Sequence, residues 1–300
     1  MFNDFKSAFQ RHNNAHAQLI IINVVIFVAM GLLFVIAKIS QQQAIFQVVY
    51  DQFVLPSRLP EFIIKPWTLL TYAFAHIYSY EYQIIGVWHI LMNMLVFYWF
   101  AKLFVEYLGS DKLVALYVLG GLSGGLLYLL LYNTVPYFMS RPSDLVGASA
   151  AVFAVVVATA TLLPDYTFFM LFLGPVKIKY IAAFYIVVSF ISSVGDNAGG
   201  EIAHLGGALI GFIYIKQLQA GVNWGGWITI TLDWFRDLFK SKPKVKVTYR
   251  KEESRSAAKP SSFGKISQAE IDAILDKISD RGYESLTKEE KEKLFNAGKK

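Results

Sequence analysis

Apolar residues in this chain run in unbroken blocks, rather than alternating in strand fashion or recurring as one stripe of an amphipathic helix. A bilayer core takes about 20 mostly apolar residues per helix, and six blocks approach or meet that length: Leu19 to Ala37, Ile84 to Phe104, Leu113 to Tyr132, Val146 to Leu163, Ile178 to Val194 and Ile202 to Leu218. Phe168 to Val176 is apolar but too short to cross and ends in Gly174-Pro175, which predicts a dipping or interfacial loop. The expected fold is therefore an all-α polytopic membrane bundle of six transmembrane helices. The polar flanks divide the chain into a cytosolic segment 1–16, a membrane domain 17–220, an interfacial segment and basic linker 221–265, and a small helical extension 266–300.

Composition reinforces the pattern. Hydrophobic residues make up 55% of the chain, aromatics 16%, and the mean hydropathy is +0.43, a balance that a soluble domain rarely sustains. The net charge of +6 does not describe a nucleic-acid groove, because more than half of the charged side chains follow Phe235 and acids are interspersed there. An anionic inner leaflet is the partner such a basic tail suits. With no cysteine, disulfides and thiolate metal sites are excluded. No cleavable signal is expected, because the polar stretch to Gln18 is long and the apolar run after it is of full spanning length without a small-residue cleavage site.

Lysine and arginine placement sets the expected orientation. Lys6 and Arg11 precede the first block, Lys102 and Lys112 flank the second turn, Lys177 and Lys179 the fourth, and the basic tail follows the sixth. In a six-span model these share one side, so both termini are expected in the cytoplasm, with a bacterial inner membrane as the location. Lys38, Arg58 and Lys65 in the long first loop oppose this assignment. Spans two, four and six then run from outside to inside. At 1.5 Å per residue, His89, Asn93, Ser149 and His204 fall within one or two helical turns of a common depth.

Such groups are costly in hydrocarbon unless paired or working. Ser149 follows Gly147 and Ala148 at a helix start, where an N-terminal amide favours developing negative charge; it is the candidate nucleophile. A serine bonded back to its own helix is the ordinary alternative. The G-x-S-x-G elbow is not matched, since Ala151 takes the last position. His204 is the candidate base, and a packing histidine is its alternative. Gly207 and Gly211 form GxxxG on the same helix, which lets another backbone approach; if that backbone is span four, Ser149 and His204 meet. His89 and Asn93, at i and i+4, share a face and could hold an oxyanion with the Ser149 N–H. Too few further ligands share that depth for a metal, and no cofactor is expected. Trp67, Trp88 and Trp99 read as interfacial or packing aromatics. The first loop, Gln41 to Gln83, rich in aromatics and prolines, is expected to shield the site.

At these residues the chain resembles the rhomboid intramembrane serine proteases. PWTLLTYAFAH at Pro66 to His76, HILMN at His89 to Asn93, GASA at Gly147 to Ala150 and AHLGGALIG at Ala203 to Gly211 carry the likeness. Glu106 to Tyr117 resembles the turn between the family's second and third spans, and the whole resemblance covers Ala17 to Ala220. It implies a Ser149–His204 dyad that needs no Asp to orient the histidine, and an oxyanion hole of His89, Asn93 and the Ser149 N–H. The implied substrates are transmembrane helices, cut near their outer ends at small residues. Ala150 replaces the family's usual Gly, and the spacing between His76 and His89 is longer than usual, which puts a role for His76 in doubt.

A catalytically silent relative that binds transmembrane helices is the alternative. A transporter relay would call for acids within the spans and repeated halves, and the blocks as drawn lack both. In the tail, Ser267-x-x-Glu270 and Thr287-x-x-Glu290 are capping boxes, Ile271, Ile274, Leu275 and Ile278 follow helical spacing, and Gly282 marks a stop. A small cytosolic helical hairpin is expected there, without a catalytic constellation and open to a docking or a regulatory role toward a cytosolic partner.

Overall fold

The computed structural model describes residues 13–77, 83–170, 174–239 and 267–297. Lys6 and Arg11, residues 78–82 of the segment inserted between His76 and His89, and residues 240–266 lie outside the described residues.

All six expected blocks are helices: α1 (Ala15–Ile39), α2 (Gln83–Leu108), α3 (Ser110–Thr134), α4 (Ser149–Leu162), α5 (Ile178–Ser192) and α6 (Ala198–Gln219). Four of them, α1, α2, α3 and α6, are long and apolar enough to span a membrane; α4 and α5 are apolar but shorter. The chain is an all-α polytopic membrane protein. Large apolar side chains on α1 (Val25, Val28, Leu32) and α5 (Phe184, Phe190, Ile191) are exposed, as helices bathed in lipid require.

α4 begins at Ser149 rather than Val146 because the preceding residues are held extended. Leu55 and Pro56 (β1) pair antiparallel with Asp144 and Leu145 (β2), in register Leu55↔Leu145 and Pro56↔Asp144. Gly147 N–H then donates to Tyr72 O at 3.0 Å. With 14 residues, α4 rises only ~21 Å. It is buried along most of its length and packs against α2, α3 and α6, so it is the central post and needs no full span of its own. Its N-terminus is consequently recessed into the bundle.

The first loop is ordered into the helical turns Gln43–Tyr50, Leu59–Ile64, Thr68–Thr71 and Tyr72–Phe74. Tyr72, fully buried, donates its hydroxyl to Gly121 O at 2.6 Å and so ties this loop to α3. Phe168 to Val176, expected as a dipping loop, instead contributes to an antiparallel pair of β3 (Thr167–Met170) and β4 (Gly174–Lys177); residues 171–173 lie outside the described residues. Paired strands satisfy backbone groups that a bare loop in apolar surroundings would leave open. Lys179 and Lys177, each with Nζ 2.9 Å from Asp165 Oδ1, fasten this pair to the start of α5 and hold the Asp165 carboxyl down at about 2.

Contacts divide the chain into residues 1–241 and residues 242–300. The first unit includes a further helix, α7 (Gly226–Phe239), which packs on α3, buries Ile228 and leaves Trp227, Ile230 and Trp234 exposed. In the second unit, α8 (Gln268–Arg281) and α9 (Lys288–Ala297) form a hairpin. Both capping boxes form: Glu270 N donates to Ser267 Oγ and Ser267 N to Glu270 Oε2, and Glu290 N and Thr287 N pair in the same way. Ile274 is buried, whereas Leu275, expected on the same stripe, is exposed.

Lys277 lies 2.8 Å from Glu290, and this bond first, with the Thr287 N–H, holds the Glu290 carboxyl below its usual value. Glu270 is lowered by the Ser267 backbone N–H and then Lys293. A depressed folded-state value contributes stability above the ordinary 4.5 that is lost as pH falls through the lowered value. Amide-exchange protection of residues 268–297 in the full chain, corrected for intrinsic rates, should therefore decline between about pH 5 and pH 3. Protection that stays level over that range would show that these pairs do not support the hairpin.

Candidate functional site

Three helices deliver the candidate residues to one cavity of about 170 Å³. His89, Met92, Asn93 and Val96 come from α2, Ser149, Val152, Phe153 and Val156 from α4, Tyr185 from α5 and His204 from α6. The shared depth expected from the order of the spans is therefore realised as a shared wall.

Small residues make the convergence possible. A Cβ on Gly207 would lie 2.0 Å from Ala150 O, and one on Gly211 2.3 Å from Ala154 O. Two glycines one turn apart on α6 thus sit directly on two backbone carbonyls one turn apart on α4, which is the close approach expected from GxxxG. α3 closes the cluster: a Cβ on Gly124 would lie 2.6 Å from Ala150 Cβ, and one on Gly120 2.5 Å from Ala154 Cβ. This accounts for Ala150 in place of the family's usual Gly. Its methyl is buried against the bare backbone of Gly124, and Ala150 does not line the cavity.

Ser149 is the first residue of α4, so the first-turn amides there have no intrahelical acceptor. Gly147 has φ of +144°, a conformation that L side chains rarely adopt, and a Cβ there would sit 3.5 Å from His89 Nε2 and 3.7 Å from Ser149 Oγ. The absence of a side chain at this position keeps open the space that those two groups flank. Among the described residues, buried His89 Nε2 has no hydrogen-bond partner. Asn93, expected to point an amide into the same space, lines the cavity while one N–H donates back to His89 O at 2.9 Å. Its second amide proton is not used in that bond.

The His204 imidazole is stacked on Phe153, with ring centroids 4.1 Å apart and planes 10° from parallel. Its Nδ1 lies 3.2 Å from Ser189 Oγ and 3.1 Å from Glu201 Oε2. Among the described contacts no hydrogen bond joins Ser149 Oγ to His204; such bonds are often long before substrate arrives.

Several of these groups were not visible in the pattern of the chain. The sixth apolar block begins at Ile202, whereas α6 starts at Ala198 and carries Glu201 in its first turn. The statement that the spans lack acids is corrected accordingly. The signal was available as Glu201 three residues before His204, one helical turn away. His76, whose role the long spacing put in doubt, is buried, meets the His89 ring edge-on at 5.9 Å and bonds through Nε2 to Asn23 Oδ1 at 3.2 Å. Asn23 in turn donates to Tyr117 OH, which donates to Ala73 O. This chain of bonds braces the ring behind His89. Trp67, Trp88 and Trp99 are exposed and stand apart from the cavity. Among the described residues no group of three His, Cys, Asp or Glu side chains converges as a metal site requires.

Residues 64–219 match the model of the Rhomboid domain, and residues 265–300 match a family of unknown function, DUF6576. The chain is 31% identical over 166 residues to RHOMBOID-like protein 12, mitochondrial, of Arabidopsis thaliana, a match covering 51% of this chain and 47% of the relative. It is 32% identical over 145 residues to Rhomboid protein 1, mitochondrial, of Saccharomyces cerevisiae, covering 45% and 39% respectively. The chain thus spans less than half the length of these curated relatives.

Proposed function

The chain belongs to the rhomboid family, and from that premise we propose that it is an intramembrane serine endopeptidase acting on transmembrane-helix substrates through Ser149 and His204. The observation that carries the reading is the single cavity shared by Ser149, His204, His89 and Asn93 inside an apolar bundle. Water and charge are expensive at that depth, so four convergent polar groups there need a task.

The chemistry runs as acyl transfer. Ser149 Oγ attacks the scissile carbonyl carbon while its proton passes to His204 Nε2. The carbonyl oxygen, now negative, enters the space beside Gly147, where the Ser149 N–H, the His89 Nε2–H and the free Asn93 amide proton supply donors. His204 returns the proton to the leaving amine as the C–N bond breaks. Water, activated by the same imidazole, then releases the acyl group. The recessed start of α4 requires the substrate to present an unwound segment, which favours helices with small residues near their ends. We place both termini on the cytoplasmic side, by the lysine and arginine distribution.

The test is cleavage of a reconstituted transmembrane substrate by wild type, Ser149→Ala and His204→Ala. Equal cleavage by all three would sink the dyad, and substrate binding with no cleavage by wild type would establish the silent reading. Asn93→Ala should retain substrate binding and lose rate by about 10²–10³-fold, or about 2.7–4 kcal/mol, the effect of removing one oxyanion donor. An unchanged single-turnover rate would remove Asn93 from the hole.

A further inference from the structure

His204 presents one nitrogen to the cavity and the other to a carboxylate. Glu201 lies one turn before it on α6 and reaches Nδ1 at 3.1 Å, while Ser189 of α5 reaches the same nitrogen at 3.2 Å. Ser189 and Asn197 also stand near the Glu201 carboxylate and favour its ionised form. The side chains of His204 and Glu201 are only 13% and 18% exposed.

An acid in the first turn of a helix has an ordinary explanation, since it complements the positive helix end. That explanation asks for a solvated side chain with no fixed partner. Here the carboxylate is mostly buried, bonded to the imidazole, and flanked by Ser189 of α5 and Asn197 at the helix cap. A buried carboxylate is tolerated only when its oxygens are paired. An ionised carboxylate has no proton to give, so the proton between it and His204 belongs on Nδ1.

We infer that Glu201 is a positioning residue for His204, converting the family's two-residue dyad into a Glu201–His204–Ser149 relay in this chain. The inference rests on the protease reading above. With Nδ1 protonated, the Nε2 lone pair faces the cavity and is free to take the Ser149 proton. The Phe153 stack sets the ring plane, and the Nδ1 bonds set which edge faces Ser149. During attack the Ser149 proton moves to Nε2 and Nδ1 keeps its own. The imidazolium so formed stands beside the negative carboxylate until Nε2 passes its proton to the leaving amine. Glu201 stays ionised throughout. Ser189 fills the second approach to Nδ1.

The test uses Glu201→Gln, which keeps the shape and removes the charge. An amide can donate to Nδ1 and so favour the tautomer with the proton on Nε2, which cannot act as base. In the reconstituted protein E201Q should lower kcat at least tenfold, and up to about 10⁴-fold, the loss when a triad carboxylate becomes an amide. KM should stay within about threefold. In protein labelled with ¹⁵N-histidine, the wild type should show His204 protonated at Nδ1 with a strongly hydrogen-bonded proton, and E201Q should lose that signal. A wild-type His204 protonated at Nε2 would overturn the inference even if E201Q failed to fold. So would E201Q with unchanged kcat, or a rise in KM alone. Cleavage abolished in Ser149→Ala but unaffected in E201Q would discard the relay and keep the protease; a wild type that does not cleave would remove both.

Discussion

Ser149→Ala and His204→Ala are each expected to lower cleavage of a reconstituted transmembrane substrate by about 10⁶-fold, to the level of background. Nucleophile and base act as one unit, so removing either forfeits nearly all that the pair supplies, and the double variant should be no slower than the singles. What survives is the contribution of the oxyanion donors and of binding, and on the proposed reading these reside in other residues: His89, Asn93 and the α4 amide. Substrate affinity should therefore change little. Neither substitution fills the cavity or disturbs the contact between α4 and α6, which is made by Ala150, Ala154, Gly207 and Gly211, so Ser149→Ala should hold its thermal stability, whereas His204→Ala also loses the Phe153 stack and the partner of Glu201 and should unfold at a lower temperature. Rates measured under single-turnover conditions decide the matter. Cleavage by Ser149→Ala within a hundredfold of wild type would exclude Ser149 as nucleophile.

Gly207→Ala should be the most damaging change outside the cavity. The new methyl would meet Ala150 O at 2.0 Å, a backbone atom in the first turn of a buried helix, so neither side can give cheaply. Overpacking of this kind costs about 1–3 kcal/mol. The functional loss should exceed the stability loss. α4 carries Ser149 and α6 carries His204, and prising the helices apart by ~1 Å can cost about 10²-fold in rate. Because the clash is with a carbonyl, combining Gly207→Ala with Ala150→Gly should not rescue it. Thermal unfolding and cleavage rates of the two variants check this together. Full activity in Gly207→Ala, or rescue by Ala150→Gly, would show that the helices do not rely on this approach.

The six helices were legible because blocks of apolar residues near bilayer length have few other uses. Ser149, His204, His89 and Asn93 stood out for the converse reason, as polar groups where hydrocarbon makes them expensive. GxxxG at Gly207 and Gly211 identified the close face of α6, since only small side chains permit backbone contact. Helix ends were less legible. The start of α4 depends on β1, which is about 90 residues away in the chain, and the start of α6 on the packing of Gly199 against Tyr128. Neither is a local property.

Residue type and order along the chain were sufficient for class, for the six apolar helices and for a short set of polar candidates, because transfer energies and helical periodicity act locally. Which partner each group meets was settled by packing. Ala150 is harmless because Gly124, on another helix, leaves room for its methyl. His76 contributes because Asn23 and Tyr117 hold it against His89. Glu201 became part of the site once α6 was seen to begin before it and to turn its carboxylate inward. Contacts between distant segments carry no periodic signature in the chain, and a carboxylate near a span end reads the same whether it faces water or an imidazole.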